Sequence, residues 1–240
     1  MEKLVYAFWR GDASAAAVRS RFIGELKPAL TAVGAERLQI SIADFDDMGG
    51  TLVNFTLAAT RPPPDGIVCF WLSSAYRRAP AEALLRQCFP RIAGYAVGES
   101  SILPDAGRAA DIDARTPGFS QISFLQVPPR LDPREWRRVW FNDHTVIGIE
   151  TQANFRYVQN VVTTVLTPNA PPYAGIVEES FPLEAMRDSQ AFYGCVGDEA
   201  EHQRRLALMM QSSARFIDFD RIDVIATSEY MLHSRQEPRL

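Results

Sequence analysis

Three observations on this 240-residue sequence predict an α+β fold built from two tandem ferredoxin-like (split βαβ) units. The segment PPPDGIV at 62–68 returns as PPYAGIV at 171–177, with its prolines, its glycine and its Ile-Val kept, and such self-similarity signals a repeated architecture. Around each copy the hydrophobic periodicity gives the same succession of strand, helix, strand, strand, helix, strand. Hydrophobic residues make up 47% and charged residues 22%, the balance of a chain that packs a core.

The first unit, residues 1–110, opens with the apolar strand LVYAFWR (4–10). A helix is expected over 13–34, and Pro28 should kink it, because proline lacks an N–H and its ring clashes with the preceding turn. Strands follow at RLQISIADF (37–45) and DGIVCFWLS (65–73), then the helix PAEALLRQCF (80–89) and the strand GYAVGESSIL (94–103). The Gly-, Pro- and Asp-containing stretch at 104–119 is the expected joint.

The second unit, residues 118–240, starts with the strand FSQISFLQVP (119–128), whose Ile122 and Phe124 alternate with polar neighbours. The helix LDPREWRRVWFNDHTVIGIETQ follows, with Asp132 placed to cap it and Pro133 in its first turn, where a missing N–H costs nothing. NFRYVQNVVTTVL (154–166) is dense in β-branched and aromatic residues, AGIVEESF (174–181) repeats the third strand, 199–217 is helical, and RIDVIATSEYMLH (221–233) closes the unit. Each unit covers one sheet face with helices and leaves the other bare. Two bare apolar faces in one chain can bury each other, which predicts an intrachain counterpart of a dimeric α+β barrel.

Within the helix, four-residue steps on a regular α-helix drift by only about 40°, so Trp136, Trp140, His144 and Ile147 should form one inward stripe. A neutral imidazole there has a donor and an acceptor and an ordinary pKa of about 6.5, which suits a general base. The alternative for a lone histidine on an apolar stripe is a core residue satisfied by a backbone carbonyl. The tryptophans read as packing, with Trp140 also placed to touch a ligand.

Trp140-x-x-x-His144, then RYVQN (156–160) in the next strand, then a proline-tyrosine loop into AGIVE, resembles the EthD family of dimeric α+β barrel proteins, clearest over 120–235. In the first unit DGIVCFW (65–71) is similar to that family's third strand. The resemblance implies a small-molecule enzyme of the dehydratase, isomerase or cyclase type, moving a proton on a small aromatic or polyketide-like carbonyl compound with the help of His144. It also implies substrate contacts at Tyr157 and Asn160. Where the family often has alanine-proline after this histidine, Thr145-Val146 stand here. Residues three apart on a strand point to opposite faces, so Tyr157 and Asn160 should not act as a pair. Aligning Phe22 with Trp140 puts Leu26 where His144 stands, so the first unit is expected to be a scaffold without catalytic role.

The competing functions are a non-catalytic binding or accessory protein with the same pocket, and a cofactor-independent or haem-binding oxygenase. The formal net charge of −4 and the absence of a basic run argue against nucleic acid, and no apolar run reaches the roughly 20 residues that cross a bilayer. Three widely spaced cysteines and a start without a signal-peptide pattern fit a cytoplasmic protein. His144, His202 and His233 lie too far apart for a metal motif, and Asp44, Asp46 and Asp47 before a Gly pair read as a solvated turn. No nucleotide or serine-hydrolase motif occurs, so no cofactor is expected; the expected partner is a small hydrophobic or aromatic molecule, and a homodimer is left open.

Overall fold

The structure, a computed structural model, describes residues 1–45, 56–104 and 113–232. The first unit contributes β1 (Glu2–Trp9), β2 (Glu36–Ile42), the two-residue β3 (Leu57–Ala58), β4 (Gly66–Leu72) and β5 (Arg91–Leu103). The second contributes β6 (Phe119–Leu125), β7 (Arg156–Val165), β8 (Gly175–Phe181) and β9 (Asp223–Met231). The strands run β2-β4-β1-β5-β7-β8-β6-β9, so the two units repeat one order, second-third-first-fourth, as a split βαβ unit requires. β5 joins the units by pairing Tyr95 with Val165 through Leu103 with Tyr157. β2 closes the ring on β9, from Gln39 opposite Met231 to Ile42 opposite Ser228. The result is the expected α+β architecture, an eight-strand antiparallel barrel closed inside one chain, with β3 added beside β9.

Strand alternation sorts the side chains into two layers. Leu4, Tyr6, Phe8, Ile40, Val68 and Phe70 pack outward against the first unit's helices. Val5, Ala7, Ile67, Tyr95, Phe124 and Ile176 fill the barrel from both units, so the interior is a packed core. The rest of that interior is polar: Lys3, Gln39, Arg156, Asn160, Glu178 and Glu229 are all buried.

The helices are α1 (Ala15–Arg21), α2 (Lys27–Ala32), α3 (Ala79–Cys88), α4 (Pro133–Arg138), α5 (Thr145–Thr151), α6 (Ser189–Phe192) and α7 (Glu199–Phe216). Side chains of Ser14, Asp132 and Asp198 cap α1, α4 and α7 by accepting from backbone N–H groups that have no partner within the helix. The first helix of each unit is not continuous α. A π-helical segment joins α1 to α2 over Phe22–Leu26, and another joins α4 to α5 over Val139–His144. Their closing bonds are equivalent: Lys27 donates to the Phe22 carbonyl and Thr145 to the Trp140 carbonyl. The irregularity in the first helix therefore precedes Pro28, which sits in the first turn of α2. Asp46, Asp47, His233 and residues 105–112 of the expected joint lie outside the described residues.

Candidate functional site

The π segment redirects the stripe expected from sequence. Inserting a residue into the ladder shifts every later side chain around the axis. Trp136 and Trp140 do face the sheet, each 1% exposed, with ring centroids 5.0 Å apart. Beyond the segment the buried positions are Thr145, Gly148 and Thr151, while His144 and Ile147 are half-buried. His144 turns toward α7, where its Nδ1 lies 3.0 Å from Ser212 Oγ and its ring centroid 4.6 Å from that of Phe216. No partner for Nε2 occurs among the described residues. Burial pushes the imidazole down to about 4, so the ring is neutral at neutral pH.

Trp140 reaches the backbone of β8 because that strand begins with glycine: a Cβ on Gly175 would fall 2.6 Å from Trp140 Cη2. Below it, Tyr157 is buried and outward-facing, in the cluster that holds both tryptophans. Gln159 Nε2 donates to the Tyr157 hydroxyl at 3.0 Å and to Thr145 Oγ1 at 2.8 Å, and Thr145 donates to the Trp140 carbonyl at 2.8 Å. Burial, with the Glu179 charge adding to it, pushes Tyr157 up to about 12, against hydrogen bonds from Gln159, Trp140 and Thr145.

Asn160 lies on the other face, as alternation requires. It is inside the barrel, donating to Glu178 Oε1 at 2.9 Å and to the Ile176 carbonyl at 3.1 Å. The structure thus groups Trp140, Tyr157 and His144 in the layer between the second unit's sheet and helices, and separates Asn160 from them by the sheet. His202 is elsewhere, with Nε2 2.8 Å from Ser189 Oγ.

Sequence reasoning missed a polar row on the helix-covered sheet face. Glu179 of β8 is flanked by Tyr157 of β7 and Gln121 of β6. Glu179 Oε1 accepts from Asn154 Nδ2 at 3.1 Å, and burial pushes its carboxyl up to about 7 against that hydrogen bond. Gln121 Oε1 and Asn154 Oδ1 are buried atoms without a hydrogen-bond partner. A signal for this row was available in the repeat itself. Superposing the Gly-Ile-Val motifs sets Phe70 against Glu179, its cross-strand partner Leu4 against Gln121, and Ile40 against Gln159. The first unit fills this layer with apolar side chains, and the second places hydrogen-bonding groups there.

The layer could orient a ligand's polar atoms and exchange protons with it through His144 or Glu179. Among the described residues, no group of three or more His, Cys, Asp or Glu is arranged to hold a metal ion, all three cysteines are free, and no helix is long and apolar enough to cross a membrane.

No family model matches the chain, and no curated protein matches it. Solved structures do. An anthrone oxidase-like protein superposes with a TM-score of 0.53 at 9% identity, over 100% of this chain and 96% of that one. A mutant chlorite dismutase from Candidatus Nitrospira defluvii gives 0.47 at 8% identity, over 96% and 92%. The chain therefore has the dimeric α+β barrel fold, with both halves of the barrel supplied by one polypeptide.

Proposed function

We propose that this protein is a small-molecule enzyme of the EthD type, in which His144 assists proton transfer on a small aromatic or polyketide-like carbonyl compound held between the second unit's sheet and helices. The observation that carries the reading is the state of the imidazole. It is neutral, its Nδ1 is tied to Ser212, and no described residue occupies Nε2. When Nδ1–H donates to Ser212, Nε2 is the free acceptor. The free Nε2 lone pair is placed to take a proton from a carbon or oxygen, and an imidazolium this acidic returns it readily. Trp140 and Tyr157 supply the apolar wall, and Asn160 acts from behind the sheet by holding Glu178 and the β8 backbone.

A cofactor-independent oxygenase is the second reading, and it shares the first step, removal of a proton to give a carbanion that molecular oxygen then oxidises. The name of the anthrone oxidase-like neighbour supplies the first compounds to assay. Haem fits the residues poorly: the ring that would ligate it is tilted against Phe216, with centroids 4.6 Å apart, and Thr145, Gln159 and Tyr157 beneath α5 are committed to hydrogen bonds with one another.

The test is solvent deuterium exchange into anthrone and related hydroxyaromatic carbonyl compounds, with oxygen uptake followed in parallel. Exchange that disappears in His144→Ala, with the melting temperature within a few degrees of wild type, supports proton transfer; concurrent oxygen uptake selects the oxygenase. Equal exchange in that variant overturns the role of His144, and no exchange with any compound in the wild type removes the enzymatic reading.

A further inference from the structure

We propose that the open edge of β5 beyond Val97 is a docking site for a partner's extended peptide, which adds antiparallel along Glu99 and Ser101 and sets a serine or threonine hydroxyl against Glu99. The inference goes beyond the proposed reaction and does not depend on it.

The chain itself shows how such an edge is filled. Superposing the repeats on their Gly-Ile-Val motifs puts Lys3 against Ser120, and the strand partners of those two residues, Val97 and Thr227, against each other. Two residues further on, Glu99 of β5 matches Glu229 of β9, and their partners on the far side, Asn160 and Ser41, match as well. On β9 residues 113–116 run along this edge. Arg115 bridges to Tyr230, and the N–H groups of Thr116 and Asp113 donate to the carbonyls of Glu229 and Met231 at 2.8 and 2.9 Å. On β5 the ladder with β1 ends at Lys3 opposite Val97, and Gly98, Glu99, Ser100 and Ser101 are exposed. The β5 carbonyls in the places of Glu229 and Met231 are those of Glu99 and Ser101. Neither lysine nor proline, the usual guards of an open edge, occurs from Gly98 to Leu103.

The two glutamates give the match its chemistry. Glu229 Oε2 accepts from Arg156 Nη1 at 2.8 Å and Oε1 from Thr116 Oγ1 at 3.0 Å, and the side chain is 2% exposed. Glu99 Oε2 accepts from Lys3 Nζ, but Oε1 accepts from no described residue, and the side chain is 31% exposed. One carboxylate has its cation and its hydroxyl; the other has its cation alone. A hydroxyl on the residue opposite Glu99 would complete it in a charge-assisted hydrogen bond.

The fit is to a short peptide and not to a second copy of β5. Paired so that its Ser101 faced Glu99, a second β5 would carry its own Leu103 onto Val97, where Lys3 already stands. The peptide residue before the hydroxyl has room, because Gly98 stands where Ser228 accepts from Arg115 Nε, and a Cβ built on Gly98 would meet nothing within 4 Å. Backbone pairing to an exposed edge supplies the affinity in this mode of recognition, and alternate side chains supply the selectivity.

The experiment is an NMR titration of the isotope-labelled full chain with the capped peptide Asp-Ala-Arg-Thr-Pro-Gly, a copy of residues 113–118. The expected result is saturable shifts in the amides of Glu99, Ser100 and Ser101, binding roughly tenfold weaker when valine replaces the peptide's threonine, and no binding when the threonine nitrogen is methylated. Ser101→Pro should abolish binding, since its ring would stand in the path of the added strand. By the equivalence with Met231 the N–H it removes faces the open side, so the ladder to β7 is kept and the melting temperature should stay within a few degrees. The peptide series needs no variant of the protein. No saturable binding, equal binding of the threonine and valine peptides, or shifts centred on Tyr230, where the peptide would be displacing the chain's own segment, overturns the proposal. The same shifts appearing without peptide as the protein concentration rises would assign the edge to a second copy and overturn it too.

Discussion

Lys3 Nζ lies 2.8 Å from Glu178 Oε1 inside the barrel, an ion pair that joins the first strand of one unit to the third strand of the other. Gln39 also reaches across, donating to Glu178 Oε2 at 2.7 Å, and Arg156 spans Glu178 at 3.1 Å and Glu229 at 2.8 Å. Burial alone would raise the Glu178 carboxyl, but Lys3 and Arg156 outweigh it and hold the group well below its ordinary value. Removing one member of such a buried set strands the others, so Lys3→Met should cost about 3–5 kcal/mol in urea unfolding. A double variant with Glu178→Leu should lose less than the sum of the two single losses. Additive losses would mean that the two units are not coupled through this pair. The sign with pH follows from the lowered carboxyl: its contribution is complete above the unfolded value near 4.5 and disappears as pH falls through the folded one.

Glu179, one residue on, faces the opposite side and carries the opposite sign. Its carboxyl is raised to about 7, so the unfolded chain releases that proton first and stability falls as pH rises from about 4.5 to 7. Glu179→Gln keeps the shape and removes the charge. The variant should match wild type at pH 4 and exceed it at pH 8 by about 1–3 kcal/mol. A stability difference that is flat with pH would show that the carboxyl is solvated like an ordinary surface group.

This neighbouring pair also explains what could be read from sequence. The Gly-Ile-Val repeat, the order of elements and the barrel were legible because burial of two sheet faces leaves an alternation that survives in one sequence. Gln121 and Glu179 alternate with apolar Ile122 and with buried Glu178, so a reader takes them for the solvent face. Nothing local marks a polar residue as covered by a helix. The π segments were hidden for a related reason: Trp136, Trp140 and His144 keep a helical spacing, and the extra residue that turns His144 toward Ser212 is a property of backbone bonding. Comparison of the two repeats position by position carries the missing signal, since Phe70 and Leu4 stand where Glu179 and Gln121 do.

Gly175 offers a test of the helix-to-sheet contact. A methyl group there would press on Trp140 Cη2 and Cζ3, at 2.6 and 2.7 Å, and would also meet Trp136 Cη2 at 3.2 Å, the two indoles packing on each other with centroids 5.0 Å apart. Gly175→Ala should therefore destabilise the protein by about 1–3 kcal/mol and shift its tryptophan fluorescence. Gly98 of β5, where a Cβ would meet nothing within 4 Å, is the control, and its alanine variant should change neither quantity appreciably. Equal effects at the two positions would show that the indole does not depend on a bare strand.

His144 supplies a last, independent titration. Burial lowers its imidazole from 6.5 to about 4, so between those values the unfolded chain takes up a proton that the folded chain refuses. Stability should accordingly fall as pH drops from 6.5 to 4, by about 2–3 kcal/mol from this group, in the direction opposite to Glu179 over most of the same window. His144→Gln keeps a hydrogen-bonding side chain for Ser212 and removes the titration. Stability measured against pH for wild type and variant should therefore diverge in acid and run parallel above pH 7, and proton NMR should show one histidine signal, absent from the variant, with a midpoint near 4. A signal titrating near 6.5 instead would place the ring in water, and a relay that depends on a neutral, desolvated imidazole would lose its physical basis.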